Sequence, residues 1–205
     1  EHIGDLRAAS AKAKKNVPLL DGARTASTKK RIADVVNALL PFASGYPAAV
    51  VRAAAWDALG QAAADLQPQL QDDHASLILP ALFTSISSDT APRVRACAAR
   101  ALLCFLDGCG FSTLEPHLEH CARTLSATLT EAPIFVREYC VAAAAALAAS
   151  VESCWDEQKK KMVSIELYGL FAPTLKPLIG NNEPGAAAAA LRARSLECLA
   201  LLGCE

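Results

Sequence analysis

Apolar and polar positions along this chain recur with a helical period, and no stretch of convincing length alternates as a strand would. From Val94 the small or apolar residues fall at Val94, Cys97, Ala98, Ala101, Leu102 and Phe105, a spacing that lines one face of a helix. The same phrase opens at Val51-Arg52 and at Val136-Arg137, and a weaker copy at Leu191-Arg192. Upstream of each lies a second amphipathic segment, over 29–44, 74–88, 114–129 and 160–180. Each is followed by a breaker: Gly45-Tyr46-Pro47, Thr90-Ala91-Pro92, Ala132-Pro133 and Asn181-Asn182-Glu183-Pro184. Proline and glycine there end one helix and leave a short turn before the next. The pattern predicts a unit of helix A, turn, helix B. Pro116 falls near a helix start, where its missing N–H costs nothing, whereas Pro80 and Pro173 are interior and predict kinked A helices.

The repeated arginines at 52, 95, 137 and 192 are 43, 42 and 55 residues apart. The first two intervals match the roughly 40–47-residue period of HEAT and armadillo repeats, and the third requires an insertion. The prediction is an all-α fold, an α-solenoid of about four HEAT-type helical pairs in a right-handed superhelix. Its units are 29–68, 74–109, 114–152 and 160–204, with 1–15 as the remnant of an earlier B helix. Lacking an initiator Met, the chain reads as a fragment of a longer solenoid.

Composition sharpens this picture. The apolar fraction is 53% but aromatics are only 5%, and much of the remainder is alanine, which favours helices and close helix–helix approach. Twenty basic and 21 acidic residues give a net charge of −1, so no basic field draws nucleic acid or an anionic membrane. No uninterrupted run of about 18 apolar residues and no N-terminal apolar segment supports membrane insertion or secretion. The eight cysteines contain no Cys-x-x-Cys. Most sit inside alanine- and leucine-rich helical runs, where a free thiol acts as a small hydrophobe, which points to the cytosol or nucleus.

His117, His120 and Cys121, with Cys109 nearby, are the residue types of a zinc site without its spacing. The run Lys159-Lys160-Lys161 reads as a solvated helix start. No nucleophile elbow and no phosphate-cradling glycine loop occurs, so neither catalysis nor a cofactor is predicted.

Four further stretches occur in a particular order: Leu59-Gly60-Gln61-Ala62, Leu114-Glu115-Pro116-His117-Leu118, Phe171-Ala172-Pro173-Thr174-Leu175-Lys176-Pro177-Leu178-Ile179, and Leu191 to Gly203. Over roughly 45–203 this resembles the central HEAT repeats of the importin-beta (karyopherin-beta) family, in its importin beta-3 branch. Residues 1–44 match poorly, and the alanine enrichment departs from the family's larger core residues. The resemblance implies a nuclear transport receptor that works by binding and not by chemistry. It would take cargo proteins with basic localisation signals, release them to Ran-GTP, touch FG nucleoporins, and shuttle between cytoplasm and nucleus through the nuclear pore.

In that family the B helices line the concave surface and the A helices the convex one, with Phe-Gly side chains entering between A helices. The resemblance therefore places Arg52, Trp56, Asp57, Gln61, Arg95, Arg100, Asp107, Arg137, Glu138, Val141, Arg192 and Glu197 on the cargo or Ran side, with Trp56 either an aromatic anchor or a filler of the space its small neighbours leave. For the arginines a second reading stands beside it, a ladder bonding to acidic or carbonyl groups in the turns. Leu82, Phe83, Leu118 and Leu125 are either walls of Phe-Gly sites or inter-repeat core. The rival function is a HEAT scaffold, of the phosphatase-scaffold kind, holding a permanent complex.

Overall fold

The computed structural model describes residues 18–180 and 184–203, so the remnant helix expected over 1–15 lies outside the described residues. The chain divides into two compact units, 1–35 and 36–205. In the first, the described residues 18–35 belong to helix α1, Pro18–Gly45, which runs on into the second unit. The periodicity placed the start of this helix at 29. It begins earlier because nothing in Asp21-Gly22-Ala23-Arg24-Thr25-Ala26 stops a helix, a single glycine costing only about 1 kcal/mol.

In the second unit, helices α2 (Ala49–Asp65), α3 (Gln69–Ser88) and α4 (Pro92–Asp107) follow. Then come a short turn of helix, α5 (Phe111–Leu114), and a 3-10 turn, Glu115–His117, carrying Pro116. Helices α6 (Leu118–Glu131), α7 (Ile134–Val151), α8 (Glu157–Gly180) and α9 (Ala186–Leu202) complete it. The fold is all-α and built of HEAT-type helical pairs. The expected A segment over 114–129 is thus split, because Pro116 supplies no N–H and its turn tightens to 3-10 geometry. Pro80 and Pro173 are interior, and their helices continue past them.

The B helices α2, α4, α7 and α9 lie side by side in chain order, and the A helices α3, α6 and α8 form the second layer. Within the unit, α3 packs on α4, α6 on α7 and α8 on α9. The core between the layers takes Phe83, Leu79 and Leu82 from α3, Phe105 and Leu102 from α4, and Phe171 and Leu175 from α8, all essentially solvent-free. Each such side chain contributes about 1.5–3 kcal/mol of burial.

The B layer is closed with small residues. A methyl added at Gly60 of α2 would come within 3.0 Å of the Ala101 Cα on α4, so the two backbones approach as nearly as a glycine allows. Helix α7 has neighbours on two sides within the B layer and a third in α6. That explains its composition: it buries Val136, Cys140, Val141, Ala143, Ala144, Leu147 and Ala148. With a mean hydropathy of 1.6 over 18 residues it is long and apolar enough to cross a membrane, but half of it is buried inside the fold.

Candidate functional site

The repeated arginines do much of their bonding inside the protein. Arg52 grips the next unit's turn through both carboxylate oxygens of Asp89, at 2.7 and 2.9 Å, and its Nη1 donates to the Tyr46 and Pro47 carbonyls of its own turn. The Arg52 bond holds the Asp89 carboxyl below the usual range, and Asp89 also accepts the Ala91 N–H. Arg95 Nε donates to the Ile86 carbonyl and Arg137 Nε to that of Ala132. A Val-Arg start to helix B thus ties the helix to a preceding A helix or turn, where carbonyls are left without helical partners.

Trp56, the expected anchor, is fully buried. Its own helix surrounds it with small residues (Ala53, Ala55, Gly60), and the indole fills the space they leave, its Nε1 unpartnered. Val141 is likewise fully buried, because α7 is covered on several sides. The expected contact residues that remain accessible on the B helices are polar, beside exposed Val50, Phe135 and Leu196. Asp57 and Arg100 pair at 2.6 Å across α2 and α4, Gln61 bonds to Asp65 one turn on, and Glu138 and Arg192 are half-buried. On α9, Glu197 pairs with Arg194 at 2.7 Å.

Between α4, α7 and α9 lies a depression of about 260 Å³. Alanines of α7 floor it, Leu103 and Asp107 wall one side, and Arg194, Glu197 and Leu201 wall the other. Burial pushes the Asp107 carboxyl up, while the more distant Arg194 charge draws it down.

Of the residues expected to wall Phe-Gly sites, Leu82, Phe83 and Leu125 are buried and serve as inter-repeat core. Leu118 is half-exposed and borders a groove of about 450 Å³ between α6 and α8. That groove is walled by Ala122, Val163, Leu167 and Leu170, with Glu119, Arg123 and Glu166 at its edge. The α8 residues were missed because the period-3.6 pattern marks them apolar without telling core from groove.

The His120 ring lies against Phe83 with centroids 4.7 Å apart, while Cys109 and Cys121 are buried. Among the described residues no cluster of three His, Cys, Asp or Glu is arranged for a metal. The seven described cysteines are free thiols. Burial pushes Cys97 and Cys109 up to about 11 and Cys140 and Cys198 up to about 12.

Layered helical pairs tied by turn-stapling arginines, with grooves between them, define a HEAT-type solenoid. Its relatives are specific. Over 146 residues, 71% of this chain, it is 29% identical to Importin subunit beta-3 of Saccharomyces cerevisiae. Among solved structures, the karyopherin Kap121p bound to the SUMO protease Ulp1p superposes with a TM-score of 0.72 at 25% identity over 85% of the chain. Kap121p bound to RanGTP superposes with a TM-score of 0.64 at 24% identity over the same share. No protein-family model matches. In sequence and in fold the chain is similar to a segment of importin-beta (karyopherin-beta) proteins. It spans 12% of the length of the yeast relative and 16% of the Kap121p chain.

Proposed function

We propose that this chain is part of a nuclear transport receptor, acting by reversible protein–protein binding in shuttling between cytoplasm and nucleus. The observation that carries the reading is the joint likeness in sequence and fold to Importin subunit beta-3 and to Kap121p, which has been solved with Ulp1p and with RanGTP. The same proposal takes the repeat units as about 29–68, 74–109, 114–152 and 160–204.

On this reading the B-helix face takes cargo or RanGTP. Asp57, Gln61, Arg100, Glu138, Arg192 and Glu197 are its accessible polar contacts, and Arg52, Arg95 and Arg137 set the helices in place. Carboxylates of that face would meet the lysines and arginines of a localisation signal, with charge complementarity setting selectivity more than raw affinity. The α6–α8 groove, with Leu118 at its mouth, suits the phenyl ring of an FG nucleoporin. It has an apolar floor and a polar rim, and its volume is in the range of small ligand sites.

The test is a pull-down of cell extract on the full chain, with and without Ran locked in its GTP form. Capture of basic cargo that RanGTP displaces supports the transport reading. Stable partners indifferent to Ran would replace it with a static HEAT scaffold.

A further inference from the structure

Ser153 joins the loop after α7 to the loop after α4. Its Oγ accepts the Phe111 N–H at 3.0 Å, across 42 residues of sequence, and donates to the Ser150 carbonyl at 2.7 Å. The residue is nonetheless exposed. It borders two cavities, one of about 550 Å³ and one of about 300 Å³, and the stretch from Glu152 to Asp156 lies between the end of α7 and the start of α8, outside any helix.

The flanks of Ser153 are acidic. Glu152 precedes it, and Asp156 and Glu157 follow at the third and fourth positions. The Glu152 and Glu157 side chains are 53% and 80% exposed although both reach Lys160, and Asp156 caps α8 by accepting the Gln158 and Lys159 N–H groups. A serine with acids three and four residues on, in an exposed non-helical stretch, is the pattern that the basic cleft of an acidophilic protein kinase complements. Ser112 also has an acid at the third position, Glu115, but no second one. That carboxylate is already paired with Lys159, and Ser112 lies inside the helical turn α5.

The surroundings decide what a phosphate would do. The smaller cavity carries the carboxylates of Glu115 and Asp156 and a single base, Lys159. That base is engaged by Glu115 and sits 5.7 Å over the Phe111 ring. A phosphoserine brings a charge of about −1.5 to −2, which disrupts a contact when it falls beside acids.

We propose that Ser153 is a phosphorylation site for an acidophilic serine/threonine kinase, and that its modification unties the two loops. The γ-phosphoryl group of ATP passes to Ser153 Oγ. The bond from the γ phosphorus to its bridging oxygen breaks, the new ester bond forms, the hydroxyl proton leaves to the kinase's base, and ADP departs. The ester oxygen has no hydrogen left for the Ser150 carbonyl, and the phosphate is repelled by Glu115 and Asp156, so the Phe111 N–H loses its partner. Because each helical pair of a solenoid is held by its neighbours, the effect is a looser joint between the pairs that carry α4 and α7. The inference does not depend on which partner the B-helix face takes.

The test treats the folded full chain with ATP and an acidophilic casein kinase, maps the phosphate by tandem mass spectrometry, and follows amide exchange at Phe111 by NMR. Phosphate is expected on Ser153, with Phe111 exchanging about fivefold faster once it is there. Ser153→Ala should take no phosphate at this position and should show the faster Phe111 exchange without the kinase. Asp156→Asn, which keeps an oxygen to cap α8, and Glu157→Gln should each slow modification by up to about fivefold.

Phosphate on Ser112 and not on Ser153 overturns the site. So does a folded chain left unmodified at Ser153, whether or not the urea-unfolded chain accepts phosphate there. Phosphate on Ser153 with Phe111 exchange unchanged or slower overturns the untying of the loops.

Discussion

The two helical layers share one repeat unit but solve packing differently. Between the layers, α3, α4 and α8 bury Leu79, Leu82, Phe83, Phe105 and Phe171, side chains that hold helices apart and fill the gap. Within the B layer Gly60 meets Ala101, and α7 contributes Ala143, Ala144 and Ala148, so backbones come near and little room is left. Interaxial distance follows side-chain size. A layer filled by large residues can also leave a groove, and the one between α6 and α8 is such a place; the alanine-rich layer offers mainly a surface. The excess of alanine is a feature of one layer's geometry.

If that contrast is right, the interlayer core breaks on truncation and the B layer on enlargement. Phe83→Ala should have the largest effect, about 3–5 kcal/mol in urea unfolding, because a buried ring leaves a cavity its neighbours cannot close. Gly60→Val should cost about 1–3 kcal/mol, since the nearest atom is the Ala101 backbone, which cannot rotate away. An equal loss from Ala122→Val, beside the α6–α8 groove, would erase the distinction.

A smaller effect should come with alkali. The buried thiols Cys109, Cys140 and Cys198 titrate at about 11 to 12 in the fold, above the unfolded value of about 8.5. Their contribution is whole below that value and is lost as pH rises through the folded one. The urea midpoint should fall as pH climbs from about 8.5, and Cys140→Ala should flatten the decline.

The smallest change concerns the turns. Asp89 is held below its ordinary range by Arg52, so its contribution is present above about pH 4 and disappears as pH falls through the folded value. Asp89→Asn should be less stable than the wild type at pH 7 and indistinguishable from it in strong acid.

Much of this architecture was legible in advance, for a physical reason. Val94, Ala98, Ala101 and Leu102 announce a buried stripe by period alone, and Pro92 or Pro133 beside it announces the turn. The start of α1 was misplaced because its first turns carry no periodic signal, and 114–129 was read as one helix because a 3-10 turn leaves the same apolar spacing. The candidate site was less legible. Periodicity tells which residues share a face, not which face a neighbour covers. For Trp56, Leu82, Phe83 and Leu125 the sequence therefore leaves contact and core open, and packing encloses all four. Trp155, exposed in the loop before α8, drew no reading from the sequence for the converse reason. It stands in a loop, where no period applies, and the only signal was an indole set among charges beside Asp156 and Lys159.

Helix α7 has a consequence for the biosynthesis of the protein. Its partners α4 and α6 precede it, but α9, which covers its remaining side, is made only after all of α8. At about 5–20 residues per second, a ribosome holds this half-covered helix, apolar enough to pass for a membrane span, for a few seconds. During that interval one side of α7 stays uncovered, and the arrival of α9 ends the exposure.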